Sequence, residues 1–337
     1  MSSKRSGCLF VALAIVLSIS LLMNLMQLGG RASGVGGELE TKARKVDRLD
    51  ERILRGGTGD ERIVVIPVRG VISSNISGRI GVSMVEDIKV QLRQAALDKK
   101  VKAVVLAIDS PGGEVTASDN LYNAVRRVRD ESKKPVVVSM GSMATSGGYY
   151  TACGGTYLMA NPTTFTGSIG VIIQALRYND LLSKIGVAPV TFKSGAFKDM
   201  LSGTREMTLE EKAYIQALVM QTYGIFVGVV AKERHLDETG LRSGIADGRV
   251  ISGKDALDAK LIDGLGEIED AYRKAKELAN TPNAMVVAYE AQFSWNRIFQ
   301  FIGSEESSGK VEINVTQKLL PVLDPGRAYW LPGFYAP

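Results

Sequence analysis

Histidine is almost missing from this chain of 337 residues: there is one, His235. Cysteine is hardly commoner, with only Cys8 and Cys153. One histidine and two distant cysteines cannot form a Cys/His zinc site, and they give no disulfide framework. A serine or cysteine nucleophile paired with histidine would depend on His235. That residue lies in the charged run "AKERHLDET", the pattern of a solvated surface. A Lys/Arg block interleaved with aromatics is also lacking, and the net charge of +5 is modest, so no nucleic-acid partner is expected. No cofactor or metal motif appears. With 45% hydrophobic and 23% charged residues the composition is globular, and the length permits a core that needs no cross-links.

The N-terminus does have a long hydrophobic run. Residues 8–28, "CLFVALAIVLSISLLMNLMQL", carry no charge and follow Lys4 and Arg5. As a helix rising about 1.5 Å per residue they are long enough to cross a bilayer. The preceding positive charges place residues 1–7 in the cytoplasm and the rest of the chain outside. The run exceeds the roughly 7–15 apolar residues of a cleavable signal peptide, and no A-x-A site follows, so an uncleaved signal anchor is expected at the cell membrane. Cys8 precedes the run, which does not fit lipoprotein cleavage. Residues 29–62 form the juxtamembrane stretch, of which Glu38–Arg62 is dense in charge and ends in "RGGTGDER". That part reads as a juxtamembrane helix followed by a flexible linker.

From residue 63 the pattern alternates. "IVVIPVRGVI", "VKAVVLAI" and "PVVVSM" read as strands, the second apolar enough to be buried on both faces. "SMVEDIKVQLRQAALDKK" and "TASDNLYNAVRRVRDE" read as the helices between them. Such alternation predicts an α/β fold of parallel β-α-β units with right-handed crossovers. "TYLMA", "SIGVII" and "APVTFK" are further expected strands, with a helix near "YNDLLSKIG". A long helix is expected over Thr208–Glu233, shorter ones near Gly253–Lys260 and Glu267–Ala279, and a last strand at "AMVVAY". The expected folded domain is 63–290, and 291–337 is a C-terminal extension.

Two strand ends carry the chemistry. In "AIDSPGGEVTASD" a buried strand turns through Ser110–Gly113 into a helix, at the sheet edge where α/β proteins bind ligands. Its glycines let backbone N–H groups approach an oxyanion or a phosphate. In "VVVSMGSMATSGGYY" a strand runs through small residues to Ser146 and then Gly147. The order resembles a nucleophile elbow, although it is not G-x-S-x-G. Ser146 would sit at a helix start, with the Gly147 N–H aimed at the same oxyanion.

A serine nucleophile needs a base. Asp109 could orient a histidine, but no usable histidine exists, so the search moves to lysine. An exposed lysine titrates near 10.4. Acting near pH 7 requires a fall of about three units, roughly 4 kcal/mol, which burial in an uncharged pocket supplies. "VTFKSGAFKDMLSGTREMT" offers Lys193 and Lys198 among small and apolar neighbours, and the pattern does not choose between them. Asp199 would oppose such a shift if its carboxylate faced Lys198, so it must point elsewhere.

The segments "DSPGGEV", "SMGSMATSGGYY", "TFTGSIGV", "KSGAFKDM" and "REMTLEEK", together with the N-terminal anchor, resemble the signal peptide peptidase A (SppA) family in its half-size, Gram-positive form. The resemblance runs from about Ile63 to about Ala279. It implies a ClpP/crotonase-like fold and a serine–lysine dyad: Ser146 the nucleophile, Lys198 the general base, Ser168 bonded to the lysine amine, and Gly113 and Gly147 the oxyanion donors. Thr145 stands where the family often has alanine. The family further implies a ring-shaped homo-oligomer whose bowl faces the membrane, with serine and lysine from neighbouring subunits, and substrates that are remnant signal peptides. An extended peptide in a groove binds by strand addition with apolar side-chain pockets. Two other readings compete: a crotonase-fold acyl-thioester enzyme that needs neither Ser146 nor Lys198, and a non-catalytic ring-forming membrane scaffold. For the apolar tail "AYWLPGFYAP" two kinds of reading stand side by side: it occupies the substrate groove or is trimmed by the enzyme, or it is a disordered or subunit-packing tail.

Overall fold

The all-apolar runs build the centre of the sheet. A computed structural model describes residues 49–75 and 83–290 and the backbone of 329–330. The expected signal anchor, most of the linker and most of the C-terminal extension lie outside the described residues. Strands β2 (Arg62–Arg69), β3 (Val101–Ser110), β5 (Val136–Thr145), β6 (Tyr157–Ala160) and β9 (Gly264–Leu265) follow one another across the sheet in parallel. Beyond β2 lie β10 (Met285–Glu290), parallel to it, and then β1 (Asp50–Arg55), antiparallel at the edge. Asp50–Arg55 was expected in the linker. The alternating "ERILR" instead finds a partner strand in "MVVAYE".

Successive residues of each strand face opposite sides. Val64, Ile66, Val104, Leu106 and Val138 join one buried cluster with helices α1 (Met84–Leu97) and α2 (Val115–Asp130). Their neighbours Ile63, Val65, Ala103, Val105 and Val137 join a second cluster with α8 (Ile268–Leu278). The result is a three-layer α/β/α sandwich, and the all-apolar strands are those covered on both faces.

After β5 comes the short helix α3 (Gly147–Ala152). The upper part of β5 leaves β6 and pairs with β7 (Phe165–Gly167), which in turn pairs antiparallel with β8 (Val250–Ser252). The expected strand "SIGVII" is thus displaced: pairing stops at Gly167, where the backbone turns left-handed at Gly167 (φ 73°) and Ser168 (φ 51°). "APVTFK" forms no strand either. It lies on an arm, residues 174–198, that carries only α4 (Asn179–Lys184) and the 3-10 turn Ala196–Asp199 and buries no side chain. A β-like alternation makes no strand here because, among the described residues, no neighbouring strand lies beside it to pair with.

The arm leads into α5 (Leu209–Arg234), started by a Thr208/Glu211 capping box and ended by His235 in the left-handed conformation. Helix α6 (Glu238–Ser243), which the pattern did not announce, and α7 (Gly253–Asp258) follow. Among the described residues α5 is the one helix long and apolar enough to cross a membrane. Its C-terminal part is instead built into the domain, where Phe226, Val227 and Val230 are buried and Glu233 bonds Arg129 and Tyr122 of α2.

Candidate active site

Ser146 sits at the joint between β5 and α3 with φ 53° and ψ −118°, a conformation L-residues rarely adopt. Such a residue costs about 1–3 kcal/mol and persists only where its surroundings over-determine it. Here the Ser146 N–H donates to the Gly167 carbonyl (2.8 Å), its own carbonyl accepts from the Tyr150 N–H (2.8 Å), and Thr166 Oγ1 donates to the Ala144 carbonyl (2.7 Å). Below, Tyr149 donates to the Leu261 carbonyl and Tyr150 to Asp119, while the Tyr122, Tyr150 and Phe226 rings meet edge to face. The floor is dry. Burial raises the Tyr149 phenol well above its ordinary value and pushes the Cys153 thiol up to about 12. Ser146 itself is fully buried, and its Oγ has no hydrogen-bond partner among the described residues.

The second glycine turn lies against the first. Ser110 Oγ donates to the Gly70 carbonyl (2.7 Å) and accepts from the Gly112 N–H (3.1 Å). Thr145 Oγ1 donates to the Pro111 carbonyl (3.0 Å), tying the residue before Ser146 to this turn. Gly113 forms a bridge with Ile72, and a Cβ on Gly113 would lie 1.9 Å from the Ile72 carbonyl oxygen. A Cβ on Gly147 would meet Ser118 Oγ at 2.4 Å and the Gly113 nitrogen at 3.1 Å. Only glycine fits either position, and the two backbones touch there. Helix α3 has six residues, so its dipole adds little; the individual N–H groups are what can serve an anion.

Ser168 follows Gly167 directly, so it neighbours Ser146 across the β5–β7 pair. It is buried, and its N–H donates to the Arg249 carbonyl (2.8 Å). The structure therefore gathers Ser146, Ser168, Gly113 and Gly147 at one sheet edge. It does not bring Lys198 to them. Lys198 is exposed on the arm; its backbone N–H donates to the Gly195 carbonyl (3.1 Å), and its amine has no hydrogen bond or ion pair among the described residues. Lys193 differs: its Nζ donates to Asp199 Oδ1 (2.8 Å) and to the Ala196 carbonyl (3.1 Å). Asp199 also receives the Arg205 guanidinium, and Arg205 with Lys193 holds its carboxyl well below the usual carboxylate range. His235 is the exposed C-terminal cap of α5. Asp109 accepts from the Met143 N–H (3.1 Å) and lines a crevice of about 360 Å³ with Arg69, Asn161 and Glu267. Sequence reasoning missed the supporting role of Thr145, Ser110 and Thr166. A hydroxyl within two residues of each glycine turn was the available signal.

A buried serine with positive φ at the end of a parallel strand, beside two positions that only glycine fits, is an arrangement suited to a serine nucleophile. Residues 128–281 match peptidase family S49, and residues 70–166 match the Clp protease family. A protein of Enterococcus faecium named as a candidate signal peptide peptidase SppA is 35% identical over 81% of this chain and 82% of its own. A protein of Methanocaldococcus jannaschii named as a candidate protease is 35% identical over 83% of this chain and 84% of its own. The chloroplastic serine protease SPPA of Arabidopsis thaliana is 33% identical over 68% of this chain and 32% of its own. The chain belongs to peptidase family S49 and is a serine peptidase of the SppA type. The acyl-thioester and scaffold readings fall with that assignment.

Proposed function

We propose that this chain is a membrane-anchored endopeptidase that degrades remnant signal peptides through a Ser146–Lys198 dyad assembled between copies. One observation carries the reading. Ser146 is buried and strained, its Oγ without a partner among the described residues, while the amine of the lysine it needs stands free on an arm whose apolar side chains are exposed. Leu176, Val190 and Phe192 on that arm are 71%, 77% and 94% exposed. An apolar surface of this kind marks a subunit contact, and a second copy would cover it while carrying Lys198 to its neighbour's serine. There Ser146 Oγ attacks the scissile carbonyl and gives its proton to the Lys198 amine. Ser168 holds that amine, and the Gly113 and Gly147 N–H groups stabilise the oxyanion. Of the two lysines, Lys193 is tied to Asp199, whereas the Lys198 amine has no partner among the described residues, which favours Lys198.

Support for an extended peptide substrate comes from β4 (Gly113–Glu114), which pairs antiparallel with β11 (Tyr329–Trp330) of the C-terminal tail. The edge that carries Gly113 thus accepts a strand of the kind expected for a peptide. The anchor at 8–28 and the outward orientation rest on the sequence pattern.

The test mixes two inactive full-length variants, Ser146→Ala and Lys198→Ala, in detergent and follows cleavage of a fluorogenic signal-peptide substrate. Each alone is inactive. Random exchange leaves about a quarter of the neighbour contacts with both groups intact, so about a quarter of the wild-type rate returns. No recovery after verified subunit exchange refutes the shared site, and turnover by either variant alone refutes the dyad.

A further inference from the structure

The residue next to Lys198 is a carboxylate, Asp199, yet the two do not pair. Asp199 Oδ1 accepts from Lys193 Nζ (2.8 Å) and Arg205 Nη2 (2.6 Å), and Oδ2 accepts from Arg205 Nε (2.9 Å). The guanidinium therefore grips both oxygens in the fork geometry that only arginine supplies. Arg205 is fixed in turn: its Nη1 donates to Glu211 Oε2 (2.9 Å) and to the Glu206 carbonyl (3.0 Å), and its Nη2 bonds Glu211 Oε1. Glu211 belongs to the capping box of α5, accepting from the Thr208 N–H (2.8 Å). A continuous line of bonds runs from the first turn of α5 through Arg205 to Asp199 and ends on Lys193.

The charged and titratable groups around this turn are few. Lys193, Asp199, Arg205 and Glu211 form the line itself. Tyr214 of α5 contributes a ring that meets Phe197 at 5.5 Å, and Arg177 pairs with Glu206 (3.1 Å) and Asp180 (3.5 Å). Among these, the one carboxylate adjacent to Lys198 in the chain is the one held from two sides. The guanidinium beside Asp199 and the ammonium of Lys193 keep its carboxyl ionised and turned to them, and Glu211 is lowered to about 2 by Arg205 and the Thr208 N–H.

From this arrangement we propose that Arg205, with Lys193 assisting, is a positioning residue that keeps Asp199 from pairing with Lys198, so that the lysine is free to act as a base. The inference rests on the reading of Lys198 as the general base. Two contributions run the same way. Releasing Asp199 would place a carboxylate on the ammonium and stabilise its charged form, and removing a nearby cation would also favour that form. Both would move the acid limb of the pH–rate profile upward.

The experiment measures kcat/KM against pH for the full-length detergent-solubilised enzyme on a fluorogenic peptide. The variants are Arg205→Gln, Asp199→Asn, the double variant and Lys198→Ala. Arg205→Gln is expected to shift the acid limb up by about one pH unit while keeping the high-pH plateau, since a nearby opposite charge moves such groups by about 1–3 units when close. Asp199→Asn in the Arg205→Gln background returns the limb to or below its wild-type position. A limb that does not move in an active Arg205→Gln enzyme overturns the proposal. So does an Arg205→Gln enzyme inactive at every pH that Asp199→Asn fails to restore, because Arg205 would then act on folding or assembly. Turnover by Lys198→Ala refutes the dyad itself, whatever the position of the limb.

Discussion

Gly147→Ala puts the proposed oxyanion site to its most direct test. The new Cβ would lie 2.4 Å from Ser118 Oγ, 3.2 Å from Ser118 Cβ and 3.1 Å from the Gly113 nitrogen. No real Cβ contact is as short as the first, so α3 must move away from α2 or Ser118 must turn. Ser118 is fully buried, which leaves it little room. Overpacking of this kind costs about 1–3 kcal/mol. The movement also separates the Gly147 and Gly113 N–H groups, and loss of one such donor lowers kcat by about 100-fold or more. KM should change little, because the donors act on charge that develops in the transition state. Ser118→Ala is the internal control. Its hydroxyl has no partner among the described residues, so removing it should leave stability unchanged or raise it by about 1 kcal/mol. In Gly147→Ala/Ser118→Ala the 2.4 Å contact is gone and only contacts near 3.1–3.2 Å remain, which small shifts can relieve. Urea melts should show most of the lost stability restored, with kcat recovering in part. A Gly147→Ala enzyme with wild-type kcat refutes the assigned donors. Destabilisation that Ser118→Ala does not relieve refutes the packing argument.

Much of this could be read from the sequence, for a physical reason. "VKAVVLAI" has to be a strand buried on both faces because no amphipathic pattern interrupts it, and β3 is that strand. "MATSGGYY" marks a turn because two glycines follow a strand at once, and Ser146 is indeed held with positive φ. The helix over Thr208–Glu233 is expected from its pattern, whereas the capping box that starts it, Thr208 with Glu211, goes unread although its spacing is in the sequence. Other features were hidden because they depend on partners. "APVTFK" has the alternation of a strand, but among the described residues no strand lies beside it. Asp199 looked like a threat to Lys198 in one dimension. Its grip by Arg205, six residues on, depends on the fold of a loop that no periodicity predicts. The left-handed turn at Gly167–Ser168, which ends β7 early, resembled the middle of an apolar run. Interactions within one element follow from its sequence period, whereas those made between loops do not.

Two further outcomes follow from the buried polar groups. Cys153 should resist iodoacetamide in the native protein at pH 8 and react once unfolded, because burial pushes its thiol up to about 12; native labelling located at Cys153 by mass spectrometry would contradict the dry floor under Ser146. Glu233→Gln should destabilise the domain by about 2–3 kcal/mol, read in thermal or urea melts, by loosening α5 from α2. Burial opposes the Glu233 charge, but hydrogen bonds from Arg129 (2.8 Å) and Tyr122 (2.7 Å) outweigh it and hold the carboxyl below its usual range. A carboxylate lowered by folding gives stability that is complete above its unfolded value, about 4.3, and is lost as pH falls through the folded value. The gap between wild type and Glu233→Gln should therefore be constant from pH 8 to 5 and close in acid. The same variant should leave the acid limb of the pH–rate profile in place. Glu233 anchors the C-terminal end of α5, while Arg205, which grips Asp199, is held by Glu211 in the first turn. If Glu233→Gln moved that limb as Arg205→Gln is expected to, the limb would report the docking of α5 rather than the release of Asp199.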